Sequence, residues 1–145
     1  MSFREDLLDL LVSKMRDTGV FKKVYRNRIP EYSTVNNYPS AAVAWTAEEF
    51  VRPATTRRTT YMGEITVMLY SKQKASNRDD DTISPLLDKI FCVVNDRSLC
   101  NGVQGIINVE IGSVKRDMGT LHPIYLAEVK LYVEIQQSAT TADCG

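Results

Sequence analysis

The residues that could do chemistry are few and widely separated in this sequence. His122 is the only histidine among 145 residues, and it lies in the stretch TLHP. A catalytic triad or a histidine-rich metal site needs further residues of this kind close by. We therefore expect His122 to be a structural or solvated turn residue.

Three consecutive carboxylates, Asp79, Asp80 and Asp81, could hold a hard cation. However, the ligand spacing and the glycine of an EF-hand are missing. These aspartates are better suited to the solvated start of a helix, where the positive end of the helix dipole favours negative charge. We expect no metal and no other cofactor.

The three cysteines, Cys92, Cys100 and Cys144, have no regular spacing. This argues against a disulfide framework and for a reducing compartment. Cys92 falls within an apolar run and is expected to be buried, whereas Cys100 lies in a loop with no histidine nearby in sequence to activate it. The glycines of NGVQG and EIGSVKRDMG match no phosphate-binding loop. The sequence therefore predicts no enzyme.

The elements that must position these residues give an α+β fold. A helix is predicted over residues 2–17, where Phe3, Leu7, Leu11 and Met15 recur every fourth residue, and a second helix over residues 82–95. The stripe of the second helix is Ile83, Leu86, Leu87, Ile90, Phe91 and Val94. Strands are predicted over residues 20–25, 41–51, 61–70, 106–115 and 123–136. The order α-β-β-β-α-β-β favours a mostly antiparallel sheet with both helices on one face. We expect one domain over residues 1–137 and a flexible tail over residues 138–145.

The charge balance excludes some partners. Lys plus Arg and Asp plus Glu are both 18, so the formal net charge is zero. A dedicated nucleic-acid binder normally has a basic excess, whereas a neutral chain suits assembly with other subunits. The start, MSFREDLLDLL, has charges where a signal peptide is apolar, and no apolar run approaches the roughly 18 residues of a membrane helix. We expect a protein made in a cytoplasm, without a membrane partner.

The stretch EEFVRPATTRRTTYMGEITVMLY has a long basic connection between two predicted strands. It is a solvated hairpin tip, a contact with another subunit, or a DNA contact, the last being weak with only three charges. Two to five residues suffice for a hairpin, so either the strands extend beyond the core or something outside the domain orders the segment. As candidate interface residues we take Arg52, Arg57, Arg58, Thr59 and Tyr61, together with Tyr132, which lies among charges on the last strand.

The chain resembles the tail terminator proteins of long-tailed bacteriophages, in the family of head-to-tail joining and minor tail proteins. The resemblance lies in FREDLLDLLVSKM, GVFKKVYRNRIPEY, YPSAAVAW, YMGEITVMLYSK, ISPLLDKIFCVV and IYLAEVKLYVEI. It implies a small α+β subunit that forms a homohexameric ring in the virion. The ring would cap the tail tube protein at the end of the tube and present a surface to the head-completion or neck protein. DNA would pass through the ring without specific binding.

Three other functions remain open from the sequence. The first is a head-completion or neck connector subunit of the same virion. The second is a small α+β enzyme with a polar pocket around His122, Cys100 or Asp96. The third is a monomeric binding module that acts on a host protein.

Overall fold

The computed structural model describes residues 3–50, 58–72, 82–96, 98–117 and 123–138. Its helices are α1 (Phe3–Asp17), α2 (Ser84–Asn95) and the short α3 (Ser98–Asn101), and its strands are β1 (Lys23–Arg26), β2 (Ser40–Phe50), β3 (Arg58–Lys72), β4 (Ile106–Arg116) and β5 (Ile124–Ser138). The predicted fold class and element order are confirmed. The sequence analysis missed α3, which has only four residues and is held to the core by the fully buried Leu99.

The five strands form one sheet in the order β1-β2-β3-β5-β4. β1 pairs with β2 in parallel, and the other described pairs are antiparallel. β3 and β5 form the longest ladder, which runs from Arg58 opposite Ser138 to Lys72 opposite Ile124. The predicted, mostly antiparallel sheet is therefore correct.

The helices cover one face of this sheet. α1 packs on β1 and β2, and α2 packs on β4 and α1. The predicted stripe of α1 is buried at Phe3, Leu7, Leu11 and Met15. It meets the inward positions of the central strands, which are at most 1% exposed and include Ile65, Val67, Leu69, Ala127, Val129, Leu131, Val133 and Ile135. We call this side the helix-covered face and the other side the open face.

Two residues of α2 differ from their predicted places. Phe91 is 36% exposed, and Cys92, expected to be buried, is exposed. Val93 is buried instead, together with Ile90 and Val94. At 100° per residue, the centre of the stripe lies near Ile90, so Cys92 lies on the opposite side of the helix and Phe91 lies at the margin.

Part of the open face is covered by the chain itself. The connection from β1 to β2, residues 27–39, places Val35 against Ala42 and Tyr70 in a second apolar cluster. The Tyr70 hydroxyl donates a hydrogen bond to the Pro30 carbonyl oxygen at 2.5 Å. Tyr70 is only 1% exposed, and its burial raises the pKa of the phenol to about 12. This connection leaves the other half of the open face, towards the β2–β3 hairpin, for other contacts.

Candidate subunit interface

At the hairpin, β3 begins three residues before its predicted start at Tyr61, whereas β2 ends one residue before its predicted end at Val51. β2 ends at Phe50 and β3 begins at Arg58, so residues 51–57 connect them. Arg52 and Arg57 lie outside the described residues. Arg58 and Thr59 form the start of β3, opposite Ser138 and Gln137 of β5, and their side chains are outside the described part of the chain. The earlier start of β3 therefore accounts for part of the length of the connection predicted from the sequence.

Tyr61 lies in the core of the subunit. It is 4% exposed, and its ring centroid is 5.9 Å from that of Phe3 on α1. The Arg4 guanidinium carbon lies 5.9 Å from the same ring, and burial raises the pKa of Tyr61. A ring as buried as that of Tyr61 packs in the core and offers little surface to another chain.

Polar contacts fix α1 to the base of the hairpin. The Trp45 indole Nε1 donates to the Arg4 carbonyl oxygen at 3.1 Å, and Arg4 Nη2 donates to Glu48 Oε2 at 3.0 Å. The hydrogen bond to Glu48 raises the pKa of Arg4. A shallow, open depression is lined by Arg4, Trp45, Ala47 and Glu48. Because its cation and carboxylate bind each other, this depression presents a structural contact rather than a reactive group.

The open face next to the hairpin begins with a network of hydroxyl and charged groups. Thr46 Oγ1 donates to Glu64 Oε2 at 2.8 Å and lies 2.9 Å from Thr66 Oγ1. Lys130 Nζ donates to Thr66 Oγ1 at 2.9 Å and lies 3.6 Å from Glu64 and 3.5 Å from Glu128. This network connects β2, β3 and β5, and it satisfies the one lysine at its centre.

Acidic side chains surround an exposed aromatic ring beyond this network. Tyr132 on β5 is 38% exposed and lies in register with Glu64 on β3 and Glu110 on β4. In the next open-face row, Glu134 is opposite Met62 of β3. Residues opposite each other in a sheet share a face, so these side chains lie together. We call Glu64, Glu110, Tyr132 and Glu134 the Tyr132 face.

Gly112 of β4 determines how the Tyr132 ring lies. A Cβ atom at this position would come within 2.2 Å of Tyr132 Cε2, so the ring covers the glycine. A glycine in a strand often marks such a close approach. The flat, exposed side of the ring therefore remains available to another molecule.

The residues considered for chemistry are not brought together in the described part of the chain. His122, Asp79, Asp80, Asp81 and Cys144 lie outside the described residues. Cys100 is in α3, with its side chain likewise outside them. Within the described ranges, no group of His, Cys, Asp or Glu could hold a metal ion.

Asp96, the remaining member of the predicted enzyme pocket, has a structural role. It accepts hydrogen bonds from the Ser98 backbone N–H and from Lys14 Nζ, each at 3.0 Å. These contacts, the Ser98 bond first, lower the pKa of Asp96 to about 2. The carboxylate therefore connects α1 to the start of α3.

Three members of the Tyr132 face, Glu64, Glu110 and Glu134, are not among the interface residues predicted from the sequence. The alternation of β5 placed Tyr132 and Glu134 on its second face, but nothing in the sequence showed which strand lies beside them. Pairing between β4 and β5 supplies that information, since it places Glu110 directly opposite Tyr132. No helix in the described ranges is long and apolar enough to span a membrane.

The architecture defines the chain as an α+β domain with one helix-covered sheet. No protein-family model matches the sequence, and no curated protein matches it. Among solved structures, a chain in the virion of a native gene transfer agent particle is similar, with a TM-score of 0.56 and 7% sequence identity. The match covers 92% of this chain and 94% of the other. The fold is therefore one that occurs in a virion particle.

A second solved structure is the PVC sheath/tube terminator of an extracellular contractile injection system in its extended state. It has a TM-score of 0.45 and 12% identity, covering 97% of this chain. This chain spans 60% of that one.

Proposed function

We propose that this chain is a structural subunit of a virion, and that its copies form a ring that closes the end of a tail tube. The observation that carries the proposal is the agreement in fold with a gene transfer agent virion chain over 92% of this chain and 94% of that one. In this proposal the ring is a homohexamer that stops growth of the tube. It then presents a surface to the neck or head-completion protein, and DNA passes through without specific binding.

The described surface supports a role in assembly. A closed ring needs two different surfaces on each subunit, because its contacts are head-to-tail. The hairpin and the open face are two such surfaces, and no catalytic cluster lies on either within the described ranges. A net charge of zero also favours association over repulsion.

The edge of the sheet is a poorer candidate for the ring contact than the open face. β4 has register shifts between Ile106 and Asn108 and between Ile111 and Ser113, and it ends in Lys115 and Arg116. Bulges and terminal cations on an edge strand disfavour pairing with another strand. We therefore place the ring contacts on side chains rather than on a sheet continued between subunits.

The test is to polymerise the partner tail tube protein with and without this chain. We expect tubes to stop growing when the chain is present and to carry a ring at one end, because the ring covers the surface to which the next tube subunit binds. Electron microscopy with class averages of tube ends measures both the length distribution and the ring. The D17K/D88K double variant, altered at exposed positions of α1 and α2, provides the matched surface control.

Two results would contradict the proposal. One is an unchanged length distribution with bare tube ends. The other is binding of the chain to DNA-filled heads in the absence of tubes, which would assign it to the neck.

A further inference from the structure

The uncovered half of the open face needs a partner of matching chemistry. Residues 27–39 cover the half that contains Tyr70, whereas Tyr132 in the other half is 38% exposed. The two rows that contain the Tyr132 face have four carboxylates, from Glu49, Glu64, Glu110 and Glu134, and no lysine or arginine. A cation is therefore the ligand that this half of the sheet favours.

Most of these carboxylates have no cation of their own among the described residues. Glu64 contacts Lys130 at 3.6 Å, but Lys130 also contacts Glu128 and Thr66. Neither Glu110 nor Glu134 forms an ion pair with any described residue, and Glu110 is exposed. Four like charges beside each other repel unless a partner neutralises them.

The same chain has a segment of the opposite charge. Residues 51–63 contain Arg52, Arg57 and Arg58 and no acidic residue. Arginine forms paired hydrogen bonds with carboxylates and stacks on aromatic rings, and the Tyr132 face offers both. The neutral total charge is thus divided between a basic segment and an acidic face.

The strand register separates Arg58 from Glu110 of its own chain. Arg58 is six residues from Glu64 along β3, which corresponds to about 20 Å along the strand, and Glu110 lies in the same row as Glu64. An arginine side chain is far shorter than this distance. Arg58 therefore cannot reach Glu110 of its own chain.

We propose that the Tyr132 face binds the basic segment of a second copy, residues 52–58, with a guanidinium over the Tyr132 ring and others paired to Glu110 and Glu134. This inference rests on the proposed ring, and it names the two surfaces that meet. The contact is head-to-tail, since the donating segment and the receiving face differ. Each copy uses both, so the contact repeats from subunit to subunit.

The experiment compares two charge-reversed proteins. R57E/R58E reverses the charge of the basic segment and leaves the Tyr132 face unchanged. E110K/E134K reverses the charge of the Tyr132 face and leaves the basic segment unchanged. We expect each variant alone to be monomeric in low salt. An equimolar mixture should form mixed oligomers in which the two variants alternate, because the segment of each variant is complementary in charge to the face of the other. The variant with all four changes should assemble again, since both charges are exchanged. Sedimentation velocity measures all four samples.

The D17K/D88K variant has the same change in net charge as E110K/E134K, on the helix-covered side of the molecule, and should assemble like the wild type. Circular dichroism confirms that each variant is folded. Mixed oligomers in the mixture, together with assembly of the fourfold variant, support the inference. Variants that assemble like the wild type, or a mixture that stays monomeric, overturn it.

The two proposals fail in different ways. If the charge-reversed variants still form rings on tubes, the proposed function stands and the Tyr132 face is not the contact. If the mixture forms mixed oligomers but the wild type leaves tube ends bare, the contact stands and the tube-capping function does not.

Discussion

Two glycines allow aromatic rings to lie flat on the sheet, one on each face. On the helix-covered face, a Cβ atom on Gly63 would be 2.0 Å from Trp45 Cζ3. On the open face, Gly112 accommodates Tyr132 in the same way. Aromatic residues that cover a neighbouring glycine compensate for its missing side chain. The chain thus uses one device for its core and for its candidate interface.

Replacing Gly63 with alanine should lower the free energy of unfolding by about 1–3 kcal/mol, the usual cost of overpacking. The added methyl group must displace the Trp45 indole, which would also strain its hydrogen bond to Arg4. Urea unfolding followed by far-UV circular dichroism measures the loss, because Trp45 is the only tryptophan and the control replaces it. As the control, the same Gly63→Ala change is measured in a W45L background. The smaller leucine leaves room for the methyl group, so the two changes should be non-additive. Equal stability of G63A and wild type would contradict the close approach.

The carboxylate of Asp96 should make the stability of the folded chain depend on pH. Its pKa is lowered from 3.8 to about 2 in the folded chain, so its contribution to stability is fully present above about pH 4 and is lost as the pH falls towards 2. We expect Asp96→Asn to be less stable than wild type at pH 7 and to match it below pH 2. Urea titrations at both pH values measure the difference. If wild type and variant differ in the free energy of unfolding by the same amount at both pH values, the charge of the carboxylate is not the cause of the difference.

At the scale of elements, the connection between β1 and β2 acts as a second cover for the sheet. Its polar sequence predicted only a loop, punctuated by Pro30 and Pro39. The structure shows that the loop places Val35 and the partly buried Tyr32 and Tyr38 on the open face. No periodicity marks such a segment, so pattern reasoning could not assign it to the core.

Tyr70→Phe should lower the free energy of unfolding by about 1–3 kcal/mol at neutral pH, because the buried Pro30 carbonyl loses its donor. The wild type should then lose stability between pH 10 and 12. The unfolded phenol ionises near 10, whereas the folded one stays neutral up to about 12. The variant lacks this contribution, so the gap between the two proteins should narrow over that range. Denaturant unfolding at pH 8 and at pH 11 measures the gap. If the gap stays the same size, the phenol of Tyr70 is not the titrating group.

Elements with strong patterns were predictable, and their contacts were not. The stripe of α1 and the inward face of β5 follow from periodicity alone, and both are confirmed. Phe91 and Cys92 were misplaced because one apolar run surrounds α2 on several sides. The parallel pairing of β1 and the meeting of Glu110 with Tyr132 depend on strand order, which a single sequence does not encode locally.

At the scale of the whole molecule, the distribution of charge is more informative than its sum. Equal numbers of acidic and basic residues predicted only that the chain could associate. The sheet register shows that acidic side chains gather on one half of the open face. Association with other chains was therefore a prediction from the sequence, whereas the acidic half of the sheet could be located only from the fold.

The long ladder between β3 and β5 has a mechanical consequence. Its fifteen paired positions span roughly 50 Å, from Lys72 near the Tyr70 cluster to Arg58 at the start of β3. If a neighbour holds the hairpin and tension acts along the strands, the ladder is loaded in shear. Its hydrogen bonds then share the load and do not open one at a time. A chain built in this way should resist extension along β3 and β5.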